Sequence, residues 1–327
     1  MHSRCTTLFA VAPMMEWTDS HCRVLHRLLT RRALLYTEMV SADAILHGCA
    51  KRLLAFDPTE HPVALQLGGA EPGRLALAAR IAQDFGYDEI NLNVGCPSDR
   101  VQSGRFGASL MREPALVGEC VGAIRQAVAI PVTVKCRLGV DEQDPERALR
   151  ELIAASAAAG VRRFAVHARK AWLKGLSPKE NREIPPLDYS LVYAIKKENP
   201  ELVILLNGGI RTLDEAAAHL VQVDGVMLGR AAYRHPMLLA GIDARFFGEA
   251  PCDLDAVLAE WRRYVGGKLK DGVRLAAMTR HMLGLFHATP GARLFRRHLS
   301  EHAVGEGAGL EVLDHALAFL SPRRQAA

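Results

Sequence analysis

Short runs of β-branched and apolar residues recur along the first three quarters of the chain, separated by stretches of helical periodicity. Eight of these runs read as strands: Phe9 to Met14, Leu34 to Val40, Pro62 to Gly68, Glu89 to Val94, Pro131 to Cys136, Arg163 to His167, Leu202 to Leu206 and Gly225 to Leu228. Strands alternating with helices pair in parallel through right-handed crossovers, and eight such units predict a closed (β/α)8 TIM barrel. A doubly wound open sheet is the alternative, but no G-x-G-x-x-G turn follows the first strand. After Gly248 the strand pattern stops. Leu254 to Leu269, Gly272 to His287, Ala292 to His302 and Leu310 to Leu320 read as helices beyond a Gly248-Glu249-Ala250-Pro251 connector. The expected organisation is a catalytic barrel over 1–248 and a small all-helical domain over 249–327.

The pattern also singles out polar residues at the strand ends, where parallel barrels carry their sites. Asn91-Leu92-Asn93-Val94-Gly95-Cys96-Pro97 alternates like a strand and ends in a thiol between turn breakers. Plain packing is the competing reading for a free cysteine. The other ends carry Pro13-Met14-Met15, Glu38, Gln66, Lys135, His167 with Arg169, Asn207-Gly208-Gly209 and Gly229-Arg230. Amide, amine, imidazole and thiol groups on one rim suit the head of a polar cofactor. The two glycine clusters would let backbone N–H groups approach a phosphate, with a following helix N-terminus and Arg230 assisting. An ammonium at Lys135 inside a barrel needs an anionic partner to offset its desolvation. For His167, a hydrogen-bonded core histidine is the competing reading.

Composition narrows the class. The chain of 327 residues is 49% hydrophobic and 24% charged, ordinary for a globular protein. No apolar run nears the roughly 18 residues of a membrane span, and the apolar stretch near the N-terminus is too short for a signal core, so a cytoplasmic, membrane-free location is expected. Seven cysteines without a C-x-x-C pair read as reduced thiols, with no metal cluster. The net charge of +5 is unevenly placed: between Arg162 and Arg182 seven bases face the single acid Glu180, and Arg293, Arg296 and Arg297 form a second patch. Such segments suit a polyanion, although a solvated surface gives the same composition.

Taken together, Ala12-Pro13-Met14-Met15-Glu16-Trp17-Thr18-Asp19, the Asn91 to Pro97 run, Val134-Lys135-Cys136-Arg137, Val166-His167-Ala168-Arg169 and Leu206-Asn207-Gly208-Gly209 resemble the tRNA-dihydrouridine synthases. The stretch from Ala168 to Asp188 is similar to their A subfamily. The resemblance implies an FMN-binding barrel and a helical tRNA-binding domain, with NADPH as reductant, tRNA as partner and no obligatory protein partner. The reaction it implies is reduction of a D-loop uridine, around position 20 or 20a, by hydride from FMN N5 to uracil C6 and a proton from Cys96 to C5. It further implies FMN contacts at Pro13, Met14, Met15, Gln66, Lys135, His167, Asn207, Gly208, Gly209, Gly229 and Arg230. Asn93, Lys179, Arg182, Arg293 and Arg296 would meet tRNA. Two other classes stay open at this point. One is a flavin barrel acting on a free pyrimidine, similar to dihydroorotate dehydrogenases; the other is a non-catalytic RNA-binding protein on a degenerate barrel.

Overall fold

The computed structural model describes residues 8–98, 101 and 104–320. Eight parallel strands close into a barrel in sequence order: β1 (Leu8–Val11), β2 (Leu34–Ser41), β3 (Val63–Gly68), β4 (Glu89–Val94), β5 (Val132–Cys136), β6 (Arg163–His167), β7 (Val203–Asn207) and β8 (Gly225–Leu228). Closure is made by β1 on β8, where Leu8 pairs with Gly225 and Val11 with Leu228. Every expected strand is present. The largest difference is at β1, which stops at Val11 rather than Met14. Pro13 has no N–H to give a ladder, and the last bond there runs from the Ala12 N–H to the Leu228 carbonyl at 2.8 Å.

Alternation along the strands decides which side chains enter the barrel. Ala10, Tyr36, Ala64, Ala165, Leu205 and Met227 form one buried apolar cluster inside it. Two residues further along several of these strands, the same parity brings Gln66, His167, Asn207 and Gly229 inward at the C-terminal ends. An irregularity in β2 breaks the simple count. Tyr36 pairs with Ala64 but Met39 with Gln66, one extra residue on the β2 side, and this bulge re-aims the strand end. The Glu38 carboxylate there accepts the backbone N–H of Glu16, a residue held at a φ of 65°.

The chain forms two compact units. The first comprises residues up to Glu16 and Leu34–Gly229, and the second comprises Trp17–Ala33 and the residues from Arg230 onward. The helix Ser20–Leu29, which follows β1, thus belongs to the second unit together with Leu254–Lys270, Ala292–His302 and Leu310–Ala318. Trp261, Phe295, Leu25 and Met278 form part of its buried interior. The helix expected over Gly272 to His287 is shorter: Leu275–Thr279 is α-helical and Arg280–Met282 tightens into a 3-10 turn. The Thr279 hydroxyl donates back to the Leu275 carbonyl at 3.2 Å, a bond that bends helices. Past it, Gly284 lies so close to the Arg234 carbonyl that an added Cβ would stand 2.1 Å from its oxygen. Among the described residues, no helix is long and apolar enough to cross a membrane.

Candidate active site at the C-terminal end of the barrel

β4 delivers the central residue. Cys96 is half-buried on the turn after the strand, and its backbone is pinned on both sides. Asn93 Oδ1 accepts the N–H groups of Gly95 (3.1 Å) and Cys96 (2.9 Å), while the Cys96 carbonyl accepts the Ala108 N–H at 2.9 Å. Gly107 permits that approach: its φ is 69°, and an added Cβ would stand 2.6 Å from the Cys96 carbonyl oxygen. The thiol lies 3.5 Å from the Ser98 hydroxyl. Of the six cysteines among the described residues, all free, Cys22, Cys120 and Cys136 are buried; burial pushes the Cys120 and Cys136 thiols up to about 12.

β5 and β7 supply the adjacent polar pair. Lys135 Nζ donates to Asn207 Oδ1 at 3.0 Å, and Asn207 Nδ2 donates to the Met227 carbonyl at 2.7 Å. Burial, helped by the charge of Arg137, pulls the Lys135 ammonium down to about 8. His167, at the end of β6, is 9% exposed; burial first, then the charges of Arg137, Lys135, Arg169 and Arg182, hold it well below the usual imidazole range and therefore neutral. Its ring lies against Gly208, where an added Cβ would meet His167 Cδ2 at 2.6 Å. Gly208 and Gly209 have φ values of 109° and 77°, which side chains avoid. The next helix, Leu213–His219, starts four residues beyond Gly209, and Thr212 already caps it. The glycine turn itself is thus what faces the barrel end.

Gln66 is 1% exposed at the end of β3 and exchanges bonds with Asn91 and Asn93. Pro13 and Met14 are part-buried after β1, and Met15 is 55% exposed. A Cβ on Gly229 would meet nothing within 4 Å, so open space begins above the end of β8. Gly229 closes the first unit; Arg230 begins the short helix Arg230–Arg234 of the second.

Two residues that the sequence reading left without a role organise the basic segment. Buried Arg137 donates from Nε to the Gly95 carbonyl (2.9 Å) and from Nη1 to the carbonyls of Lys170 (3.0 Å) and Asn181 (2.8 Å). Burial lowers its guanidinium to about 10. Asn181, fully buried, bonds Trp172 through both its amide oxygen and its amide nitrogen. The segment carrying exposed Lys179 and Arg182 is thereby fastened beside the Cys96 turn. In the second unit, Arg293 is exposed and Arg296 part-buried on the helix Ala292–His302.

The first unit therefore presents a thiol, an ammonium, a neutral imidazole, the three carboxamides of Gln66, Asn93 and Asn207, and a glycine turn at one end of a closed parallel barrel. The charges acting on His167 are all cationic, those of Arg137, Lys135, Arg169 and Arg182. Among the described residues, the amide oxygen of Asn207 is the acceptor that meets Lys135 Nζ. That donor set fits a flat, polar, anionic cofactor such as FMN. It defines the class as a barrel built around such a cofactor. The family profile of the dihydrouridine synthases (Dus) matches residues 10–320, and the chain belongs to that family. It is 58% identical over 312 residues to the tRNA-dihydrouridine(20/20a) synthase of Vibrio cholerae serotype O1, covering 94% of this chain and 95% of that protein. The Xanthomonas axonopodis pv. citri protein of the same name is 57% identical over 308 residues, covering 94% and 92%. That of Escherichia coli K12 is 54% identical over 319 residues, covering 97% and 92%.

Proposed function

We propose that this chain is a tRNA-dihydrouridine synthase of the A subfamily that reduces uridine to 5,6-dihydrouridine at positions 20 and 20a of the tRNA D-loop, using FMN with NADPH as the source of electrons. Relatives of that name match at 54–58% identity over nearly the whole chain, and the Ala168 to Asp188 segment favours the subfamily. FMN would be held by Pro13 to Met15, Gln66, Lys135, His167, Asn207 to Gly209, and Gly229 with Arg230. Bound there, it would supply the hydride that reaches C6 of the uracil.

The single observation that carries the reading is the pinned, half-exposed Cys96 on the same barrel end as the Lys135–Asn207 pair. Hydride arriving at C6 leaves negative charge at C5 and O4, and a proton must reach C5. Cys96 gives that proton, and its turn is fixed so that the thiol does not wander. Asn93 fixes the turn and would touch the base or the flavin. Neutral His167 can donate a hydrogen bond without adding charge. Lys135 offsets negative charge with its ammonium. A stacked uridine must first leave the folded tRNA, at a cost of a few kcal/mol. Lys179, Arg182, Arg293 and Arg296 contribute by gripping phosphates. Cys96→Ala should retain bound flavin, seen in its visible spectrum, while dihydrouridine formation falls by about a hundredfold or more. An alanine variant with the parent's rate would remove the thiol from the reaction.

A further inference from the structure

Adjacent strands β3, β4 and β5 carry a continuous line of buried polar side chains that a packed core does not need. On the far side, Ala165, Leu205 and Met227 fill the interior with apolar groups. Beneath Asn93 the filling changes. Glu89, ion-paired to Arg163 at 2.5 Å, accepts the Thr133 hydroxyl at 2.6 Å. Thr133 in turn accepts Asn91 Nδ2 (2.8 Å), Asn91 Oδ1 accepts Gln66 Nε2 (2.8 Å), and Gln66 Oε1 accepts Asn93 Nδ2 (2.7 Å). Register explains the contacts: Asn91 is the ladder partner of both Gln66 and Thr133, so the three side chains stand side by side.

The line has one sense from end to end. A carboxylate paired with arginine offers only acceptors at the bottom, and the N–H groups of Gly95 and Cys96 offer only donors at the top. Each group between them therefore has its amide oxygen and nitrogen assigned by its neighbours. Reversing Asn91 would set its Nδ2 against Gln66 Nε2. Reversing Asn93 would set an NH2 group against the two backbone donors of the Cys96 turn. The members are between 0% and 7% exposed, so water cannot stand in for a missing partner.

We propose that Thr133 and Asn91 are positioning residues for the reaction: through this line they fix which way Gln66 and Asn93 present their amides and where the Cys96 turn sits. The inference rests on the reading of Gln66, Asn93 and Cys96 given above. Neither positioning residue touches the reacting atoms. The same carboxylate oxygen of Glu89 also accepts the hydroxyl of buried Tyr36 at 2.6 Å, and that hydroxyl bonds Thr133 as well, so Tyr36 adjoins the line.

The test compares Thr133→Val with Thr133→Ser in the flavin-loaded enzyme acting on unmodified tRNA. The first removes a hydroxyl from Glu89 and should lower thermal stability; the second keeps it. Thr133→Val should reduce kcat about tenfold or more, as misplacement of reacting groups by fractions of an ångström does, and should shift the visible band of bound flavin. KM for tRNA should stay within about twofold, because the phosphate contacts are untouched. Thr133→Ser should keep kcat and spectrum. Should the valine variant not fold, Thr133→Ser against Thr133→Ala makes the comparison with a single oxygen. Equal kcat in Thr133→Val and Thr133→Ser, or in the serine and alanine variants, overturns the proposal while leaving the synthase reading standing. A parent protein that binds flavin but leaves tRNA unchanged removes the reading itself.

Discussion

Lys135 illustrates how much a single residue reveals once its surroundings are known. An ammonium that burial pulls down to about 8 is disfavoured in the fold, so the protein without its cofactor should become more stable as pH rises from about 8 toward the ordinary lysine value of 10.5. An anionic cofactor has the opposite preference, because it needs the charged form. FMN affinity of the flavin-free protein should therefore fall as pH rises through about 8, and titration calorimetry across that range checks it. Lys135→Met should weaken FMN by about 1.5–3 kcal/mol and flatten the pH dependence. A flat profile in the parent protein would mean that Lys135 does not face the cofactor. At Cys96 the sequence offered a thiol on a turn, and the competing reading was packing. What separates the two is the tertiary arrangement of Asn93 and Ala108, bonds made across a loop that no local pattern encodes.

At the scale of elements, the barrel strands were legible because alternation and turn breakers are local signals. All eight appear within a few residues of their expected ends. The β2 bulge was not legible, since an extra residue in a ladder depends on the neighbouring strand. The polar line through Thr133 and Asn91 was half legible. The inward parity of Glu89, Asn91 and Asn93 can be read from β4, but their partners on β3 and β5 need the register. The helix over Gly272 to His287 failed as one element because a back-bonding threonine and a close backbone contact at Gly284 interrupt it. The cap of Ser20–Leu29 shows a similar long-range dependence. Asp19 accepts the Cys22 N–H (2.9 Å) and also pairs with Arg280 (2.5 Å) and His281 (3.0 Å). Burial opposes its charge, yet bonds from His281, Cys22 and Arg280 hold the carboxyl well below the usual range. A depressed carboxyl stabilises the fold above its unfolded value of 3.8 and loses that contribution as pH falls further. Asp19→Asn should cost about 1–3 kcal/mol at neutral pH in denaturant titration and narrow the gap from the parent protein under acid. Equal stability of the two at pH 7 would contradict this account of the cap.

For the whole molecule, charge is the property that the composition exposed most directly. The bases Arg169, Lys170, Lys174, Lys179 and Arg182, with those around Arg293, predict tRNA binding that weakens steeply with salt. Replacing Arg293 and Arg296 by alanine should lower the slope of log affinity against log salt by about 1 to 2, because each lost phosphate contact contributes roughly 0.7–0.9. An unchanged slope in filter binding would place tRNA on another surface. Family membership over residues 10–320 weighs against a free-pyrimidine dehydrogenase, which needs neither basic segment.

Mass spectrometry of unmodified tRNA after incubation with the flavin-bearing protein and NADPH decides whether this chain makes dihydrouridine. The D-loop uridines at positions 20 and 20a, the sites in the names of the relatives, should each gain two hydrogens, and Cys96→Ala should abolish the gain. Flavin-bearing protein that leaves those uridines unchanged while reducing a free pyrimidine would contradict the synthase reading.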